Sequence, residues 1–142
     1  MIQLTILGEP ASKANSRKLV KFGERMVSVK GDKALDYERD ALRQIPPTAR
    51  VQLKVEVAVT MRIFYATERP DLDESLILDI LQDRYKTVKK GDAKDRVLVQ
   101  KGVYANDRQV REKHIYHAID RKNPRTEITV VPLSAQQLEI AA

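Results

Sequence analysis

The chain has 142 residues, 26 lysines and arginines against 20 aspartates and glutamates, a formal net charge of +6 and no cysteine. That length supports one domain with one core, and the missing thiols exclude disulfides, thiolate catalysis, and zinc–thiolate or iron–sulfur sites. The positive balance favours polyanionic partners, and it is uneven: residues 12 to 30 and 84 to 101 each carry +5, while the rest of the chain carries −4.

Taken in chain order, Ile2 to Leu7 alternates as a first strand and stops at Gly8-Glu9-Pro10. A polar loop, Ala11 to Arg17, leads into a hairpin in which Lys18 to Phe22 and Arg25 to Val29 flank Gly23-Glu24. Gly31-Asp32 signals a helix start. Ala34, Tyr37, Ala41, Leu42 and Ile45 keep helical spacing until Pro46-Pro47 ends the run. Val51, Leu53, Val55, Val57 and Val59 alternate strictly and predict one long strand over 51–65. Leu72, Leu76, Ile77, Ile80 and Leu81 then mark one face of a second helix, with Glu74, Asp79, Gln82 and Asp83 on the outward face. Residues 84–102 are basic and lack clear periodicity apart from Val97-Leu98-Val99. Val110 to Ile119 and Thr126 to Val131 read as two closing strands, antiparallel neighbours joined around Lys122-Asn123-Pro124-Arg125, and residues 133–142 form a tail. The fold class this predicts is α+β: a single domain, 1–142, with a mixed β-sheet and two main helices packed on it. The N-terminus lacks a basic leader, and no apolar run approaches the ~20 residues that cross a membrane. No membrane association and a cytoplasmic location are the expectation.

The acidic centre carries the chemistry. In Arg69-Pro70-Asp71-Leu72-Asp73, two aspartates two residues apart project to the same side of an extended segment, while Leu72 turns toward the core. Carboxylates in that arrangement suit Mg²⁺, which takes oxygen ligands and is commonly held by one or two carboxylates together with substrate phosphates. A competing reading makes Asp71 a helix N-cap with Glu74 as its capping-box partner. In the same way Asn106-Asp107 is ordinary turn chemistry. A calcium loop is excluded, because Leu76 stands where the turn glycine belongs and Gln82 where the bidentate glutamate belongs. His114 and His117, three apart on a strand, face opposite sides and make no metal pair.

Together these segments resemble the RusA family of Holliday junction resolvases, small dimeric Mg²⁺-dependent endonucleases. Pro10-Ala11-Ser12-Lys13-Ala14-Asn15-Ser16-Arg17 is similar to the loop after the family's first strand, and Arg69-Pro70-Asp71-Leu72-Asp73 to its Asp-Leu-Asp-Asn core. Asn106-Asp107-Arg108-Gln109-Val110 resembles its Asp-Asp-x-Gln-Val segment, and Pro124-Arg125-Thr126-Glu127-Ile128 its last strand. The resemblance implies that Asp71, Asp73 and Asp107 are catalytic carboxylates that hold Mg²⁺, with Mn²⁺ as a substitute. It also implies a four-way junction or branched DNA as substrate and a homodimer as the acting form. Lys13, Asn15, Arg17, Lys18, Arg69, Lys89, Lys90 and Lys101 are the candidate DNA contacts. Three departures stand out: Glu74 replaces the family's usual Asn, Asn106 replaces the first of its paired aspartates, and Ile77 falls where a helix lysine is typical. Another cation, Lys13 or Lys101, must then supply that lysine's role, or the activity is weakened. Residues 84–105 read as a basic insertion. Two alternatives stay open: a DNA-binding protein of the same fold with weakened cleavage, and a basic RNA-associated domain whose acidic cluster only caps a helix.

Overall fold

The computed structural model describes residues 1–12 and 17–133. Its core is a four-stranded mixed sheet in the order β1 (Ile2–Leu7), β8 (Arg125–Pro132), β4 (Val57–Tyr65), β7 (Val110–Ile119). β8 runs antiparallel to both β1 and β4, whereas β7 runs parallel to β4. The closing strands are therefore not each other's neighbours, contrary to the sequence expectation, because β4 lies between them. Parallel pairing needs a crossover long enough to bring the chain back to the same end. The forty-odd residues between β4 and β7, which include α2 (Ser75–Ile80), supply it.

The central strand explains the core. Val57, Val59, Met61, Ile63 and Tyr65 point inward at every second position and are fully or almost fully buried, together with Ile6 of β1 and Ile128 and Val130 of β8. α1 (Asp32–Gln44) buries Ala34, Tyr37 and Ala41 and lays the latter two against that face, with Ile45 just beyond its end. Their spacing of three and four residues is the signature of a helix with one apolar stripe. α2 adds Ile77 and Ile80, with Leu81 following. Both helices thus share the one apolar cluster beneath the sheet. Arg62, Thr60, Tyr116 and Glu127 line a shallow groove on the opposite face, where the Arg62 guanidinium sits 5.5 Å from the centre of the Tyr116 ring.

The strand predicted over 51–65 starts only at Val57. Gln52 has a left-handed backbone, φ 54°, which no strand accommodates. From there the chain straps across 102–105 instead: Gln52 N–H donates to Gly102 O, Leu53 N–H to Val103 O, and Ala105 N–H to Leu53 O. The second helix is also shorter than its apolar spacing suggests. It begins at Ser75, leaving Leu72 substantially exposed, and it ends before Asp83. Asp83, expected to face outward, is buried, and its carboxylate accepts from Gln52 Nε2 at 2.6 Å and from Gly102 N–H at 2.8 Å.

Two hairpins stand apart from the sheet. β2 (Arg17–Phe22) pairs with β3 (Arg25–Lys30) around Gly23, at φ 62°. The basic stretch with no readable periodicity is also a hairpin, β5 (Arg84–Lys90) with β6 (Ala93–Gln100), turning on Gly91 at φ 60°. A glycine of positive φ at the first position of a two-residue loop suits the twist of paired strands. Among the described residues no helix is long and apolar enough to cross a membrane.

Candidate functional site

The acidic segment leaves the end of β4 and is fixed by the residue that ends that strand. The buried Tyr65 hydroxyl donates to Asp71 O and accepts from Asp73 N–H, each at 3.2 Å, so one side chain holds the backbone of both aspartates. Burial raises the Tyr65 hydroxyl's pKa, and the neighbouring carboxylates of Asp73, Glu9 and Glu74 raise it further. The phenol therefore stays a neutral donor. His117 stacks on its ring at 5.2 Å, which gives the strand histidine a packing role.

The two aspartates open onto different clefts. Asp71 lines a cleft of about 760 Å³ between the 7–12 segment, α1 and the 67–71 segment, where Arg69 accompanies it. Asp73 lines a smaller one of about 290 Å³ with Arg17, Lys30, Ser75, Leu76 and Asp79. A regular strand would have sent both to one side, but residues 71–74 carry no regular structure. The capping box of the competing reading, Asp71 with Glu74, is absent as well. Glu74, the N-cap residue, makes no side-chain cap bond, while one Asp73 oxygen accepts from Ser75 N–H at 3.1 Å and from its hydroxyl at 2.7 Å. Glu74 reaches instead to Lys113 on β7, at 2.8 Å.

Asp107 begins a short 3₁₀ turn, Asp107–Gln109, whose geometry is set by its neighbours. Asn106 Oδ1 accepts from Arg108 N–H, and Gln109 Oε1 from Asn106 N–H, which is a complete capping box. Gln109 also donates to Leu53 O and Val55 O, both at 2.8 Å, clamping the turn to the strap before β4. The Asp107 N–H donates to Gln82 Oε1 at 3.0 Å, and Gln82 Nε2 donates to Asp79 at 2.8 Å. Gln82 therefore bridges Asp107 to Asp79. Both carboxylates lie close enough to the Tyr104 hydroxyl to add to the rise in its pKa that burial begins.

Lys30 is the residue that sequence reasoning did not single out. It lies in the cleft of Asp73 and pairs with Glu38 of α1 and with Asp79 of α2, the latter at 3.2 Å. Partial burial alone would lower its pKa, but the bonds and charges of Glu38 and Asp79 lift it above the ordinary lysine value. It stays charged. Glu38 pairs on its other oxygen with Arg84, at the root of the second hairpin. Glu38 is itself buried, on the helix stripe between Tyr37 and Ala41. A carboxylate in that position requires partners, and this was the one sequence signal for the node. Ile77, where the resembled family carries a lysine, is completely buried, so that position faces the core here. Lys30 brings a cation into the neighbouring cleft from another element.

The remaining candidate contacts fall into separate groups. Arg17 bonds to Ser28 across its hairpin, and Lys18 pairs with Asp32 at 2.7 Å. Lys89 and Lys90 are exposed near the tip of the second hairpin and Lys101 at its base. Gly102 follows, and any Cβ there would overlap the backbone of Leu81 and Gln82. Lys13, Asn15 and most of the predicted tail lie outside the described residues.

Three carboxylates offer the oxygen-only donors that Mg²⁺ prefers. Asp71 and Asp107 are exposed, and their carboxylates have no hydrogen-bond or ion-pair partner among the described residues. Asp73 has one oxygen engaged by Ser75. The donor chemistry thus fits the ion. No group of three or more His, Cys, Asp or Glu side chains among the described residues is gathered closely enough to hold a metal, so a ready-made triad is not present. The fold and this arrangement define an α+β domain with two exposed acidic segments and two basic hairpins. No protein-family model matches the chain, and no curated protein matches it.

Proposed function

We propose that this protein is a Mg²⁺-dependent, structure-selective endodeoxyribonuclease that resolves four-way or branched DNA, acting as a homodimer on cytoplasmic DNA in recombination, repair or phage DNA processing. The observation that carries the reading is the Tyr65 anchor. A buried hydroxyl fixes the Asp71–Asp73 backbone at the end of the central strand and leaves Asp71 exposed beside Arg69. The helix start engages only one of these aspartates, Asp73, through its bonds from Ser75.

In this reading Asp71, Asp73 and Asp107 would hold Mg²⁺, with phosphate oxygens completing the shell, as is usual for that ion. When bound, the ion supplies a nucleophile from water at neutral pH and offsets charge that builds on the scissile phosphate. The chain's own residues orient and neutralise. Arg69, beside Asp71, and Lys30 with Arg17, beside Asp73, meet phosphate charge from two sides, while Gln82 and Gln109 hold the Asp107 turn in place. A two-fold dimer would present paired sites to the two-fold axis of a junction.

A second reading, DNA binding without cleavage, is favoured by the opening of Asp71 and Asp73 onto different clefts and by the buried Ile77. Incubation of the full chain with a labelled four-way junction, with and without Mg²⁺, separates the two. Paired cuts that require Mg²⁺ or Mn²⁺ and vanish in chelator are expected. Tight binding with no cut under any divalent metal refutes the nuclease and leaves the binding protein. Preference for structured RNA over branched DNA refutes both.

A further inference from the structure

Beyond its root, where Arg84 pairs with the buried Glu38, the hairpin of β5 and β6 stands out as a surface that supports little else of the chain. Its strands pair with each other but make no extensive contact with another element among the described residues, and every residue from 89 to 99 is exposed. An isolated two-stranded ribbon is marginal in water. The register sorts its side chains into two unlike faces. Tyr85 opposite Leu98, Thr87 opposite Arg96 and Lys89 opposite Lys94 share one face. Lys86 opposite Val97, Val88 opposite Asp95 and Lys90 opposite Ala93 share the other. The first face therefore carries three cations and no acid, and the second carries two cations with one aspartate. The Arg96 guanidinium lies 4.3 Å from the centre of the Tyr85 ring, a diagonal contact available only on the first face.

Lys89 directly opposite Lys94 is a like-charge pair, which destabilises a ribbon on its own. An anion over that face would relieve the repulsion. A second copy of the chain would bring the same cations and repel. A polyanion of regular charge spacing would not.

We propose that this arm is a β-ribbon that enters the major groove of a DNA duplex, with the Lys89, Lys94 and Arg96 face toward the phosphates and base edges. The dimensions agree. Paired strands about 5 Å apart carrying side chains fit a groove about 12 Å wide, which admits a two-stranded ribbon. Tyr85 and Leu98, both partly exposed nearer the body, add apolar surface where the ribbon leaves the groove. The proposal rests on the DNA-binding part of the function above and is independent of cleavage.

Two double variants remove equal charge from opposite faces: Lys89→Ala with Lys94→Ala, and Lys86→Ala with Lys90→Ala. Both should melt like the wild type, since all four lysines are exposed. Binding to a labelled 30-bp DNA duplex is followed by fluorescence anisotropy over a range of salt concentrations. Each lost phosphate contact lowers the slope of log affinity against log salt by about 0.9. A fall of about 1.8 is expected for the Lys89 and Lys94 pair, and a fall of less than about 0.9 for the other. Equal losses would mean general electrostatic attraction and overturn the groove assignment, as would no loss from either. Equal affinity for an RNA duplex of the same sequence also overturns it, because the A-form major groove is too narrow for side chains to read. A changed oligomeric state in sedimentation, with DNA affinity unaltered, would assign the face to a second copy. If the wild type cuts junctions while both variants bind normally, only the arm proposal fails. If the wild type binds no DNA, the functional reading fails with it.

Discussion

Replacing Gln109 with alanine tests whether the turn that carries Asp107 is held by one side chain. Gln109 makes three hydrogen bonds, accepting from Asn106 N–H and donating to Leu53 O and Val55 O, each at 2.8 Å. At about 1 kcal/mol apiece the three would amount to roughly 3 kcal/mol. Two features reduce that figure. Leu53 O keeps a second donor, Ala105 N–H at 3.0 Å, and Asn106 and Val55 lie at the surface, where water replaces the lost partner. A loss of about 1–2 kcal/mol remains, which for a chain of this size lowers Tm by about 3–6 °C. The functional effect should exceed the thermal one, since the untethered turn no longer fixes Asp107. Junction cleavage at 25 °C, where the variant is still folded, should fall at least tenfold while duplex affinity stays within twofold. Gln109→Glu, which keeps the acceptor but sets a charge against two carbonyl oxygens, should be no better. An unchanged melting temperature would show that the clamp contributes nothing. A lower Tm with wild-type cleavage would show that Asp107 needs no positioning.

The carboxylates give a second prediction: Asp71→Asn, Asp73→Asn and Asp107→Asn should each abolish Mg²⁺-dependent cleavage while keeping or strengthening junction affinity measured without metal, because each removes a charge that repels phosphate. Asp73→Asn retains an oxygen for the Ser75 bonds, so its Tm should stay within a few degrees of wild type. Wild-type cutting by folded Asp73→Asn and Asp107→Asn proteins would remove both from the site. A third prediction concerns alkaline pH. Burial pushes the Tyr37 hydroxyl up to about 12, so the fold holds it neutral. That stabilisation is complete below pH 10 and is lost as pH rises toward 12, a cost of roughly 3 kcal/mol for a shift of two units. Urea melts across that window should show the decline in the wild type and a shallower one in Tyr37→Phe. Lys30 and Tyr104, whose pKa values are also raised, leave a residual slope in the same direction.

Periodicity revealed those parts of the fold that bury one face. β1, α1 and the inward positions of β4 were readable because water is excluded from every second or every third and fourth side chain. β5 and β6 were not, since both of their faces are wet and nothing selects apolar residues on either. The pairing of β7 and β8 with β4 was hidden for another reason. Sequence neighbours are natural partners, and the insertion of a third strand between them leaves no local trace. At the site, Asp71 and Asp73 were legible as residues but not in direction. Two-residue alternation holds for a strand, and the segment bends between the Tyr65 anchor and the bonds from Ser75. Lys30 and Asp79 meet across 49 positions of sequence, a separation that no local pattern spans.

The points where the arm leaves and rejoins the body are already bound to each other. Asp83 at its start accepts the N–H of Gly102 at its end, and Val103 N–H returns to Leu81 O at 2.7 Å. A chain that departs and re-enters through one doorway adds length without changing the path of anything around it. The sheet and helices can therefore keep a single architecture while the segment after Arg84 and before Gly102 is lengthened, shortened or exchanged. The reach of such a protein can therefore be altered through one segment, with the sheet and helices left untouched.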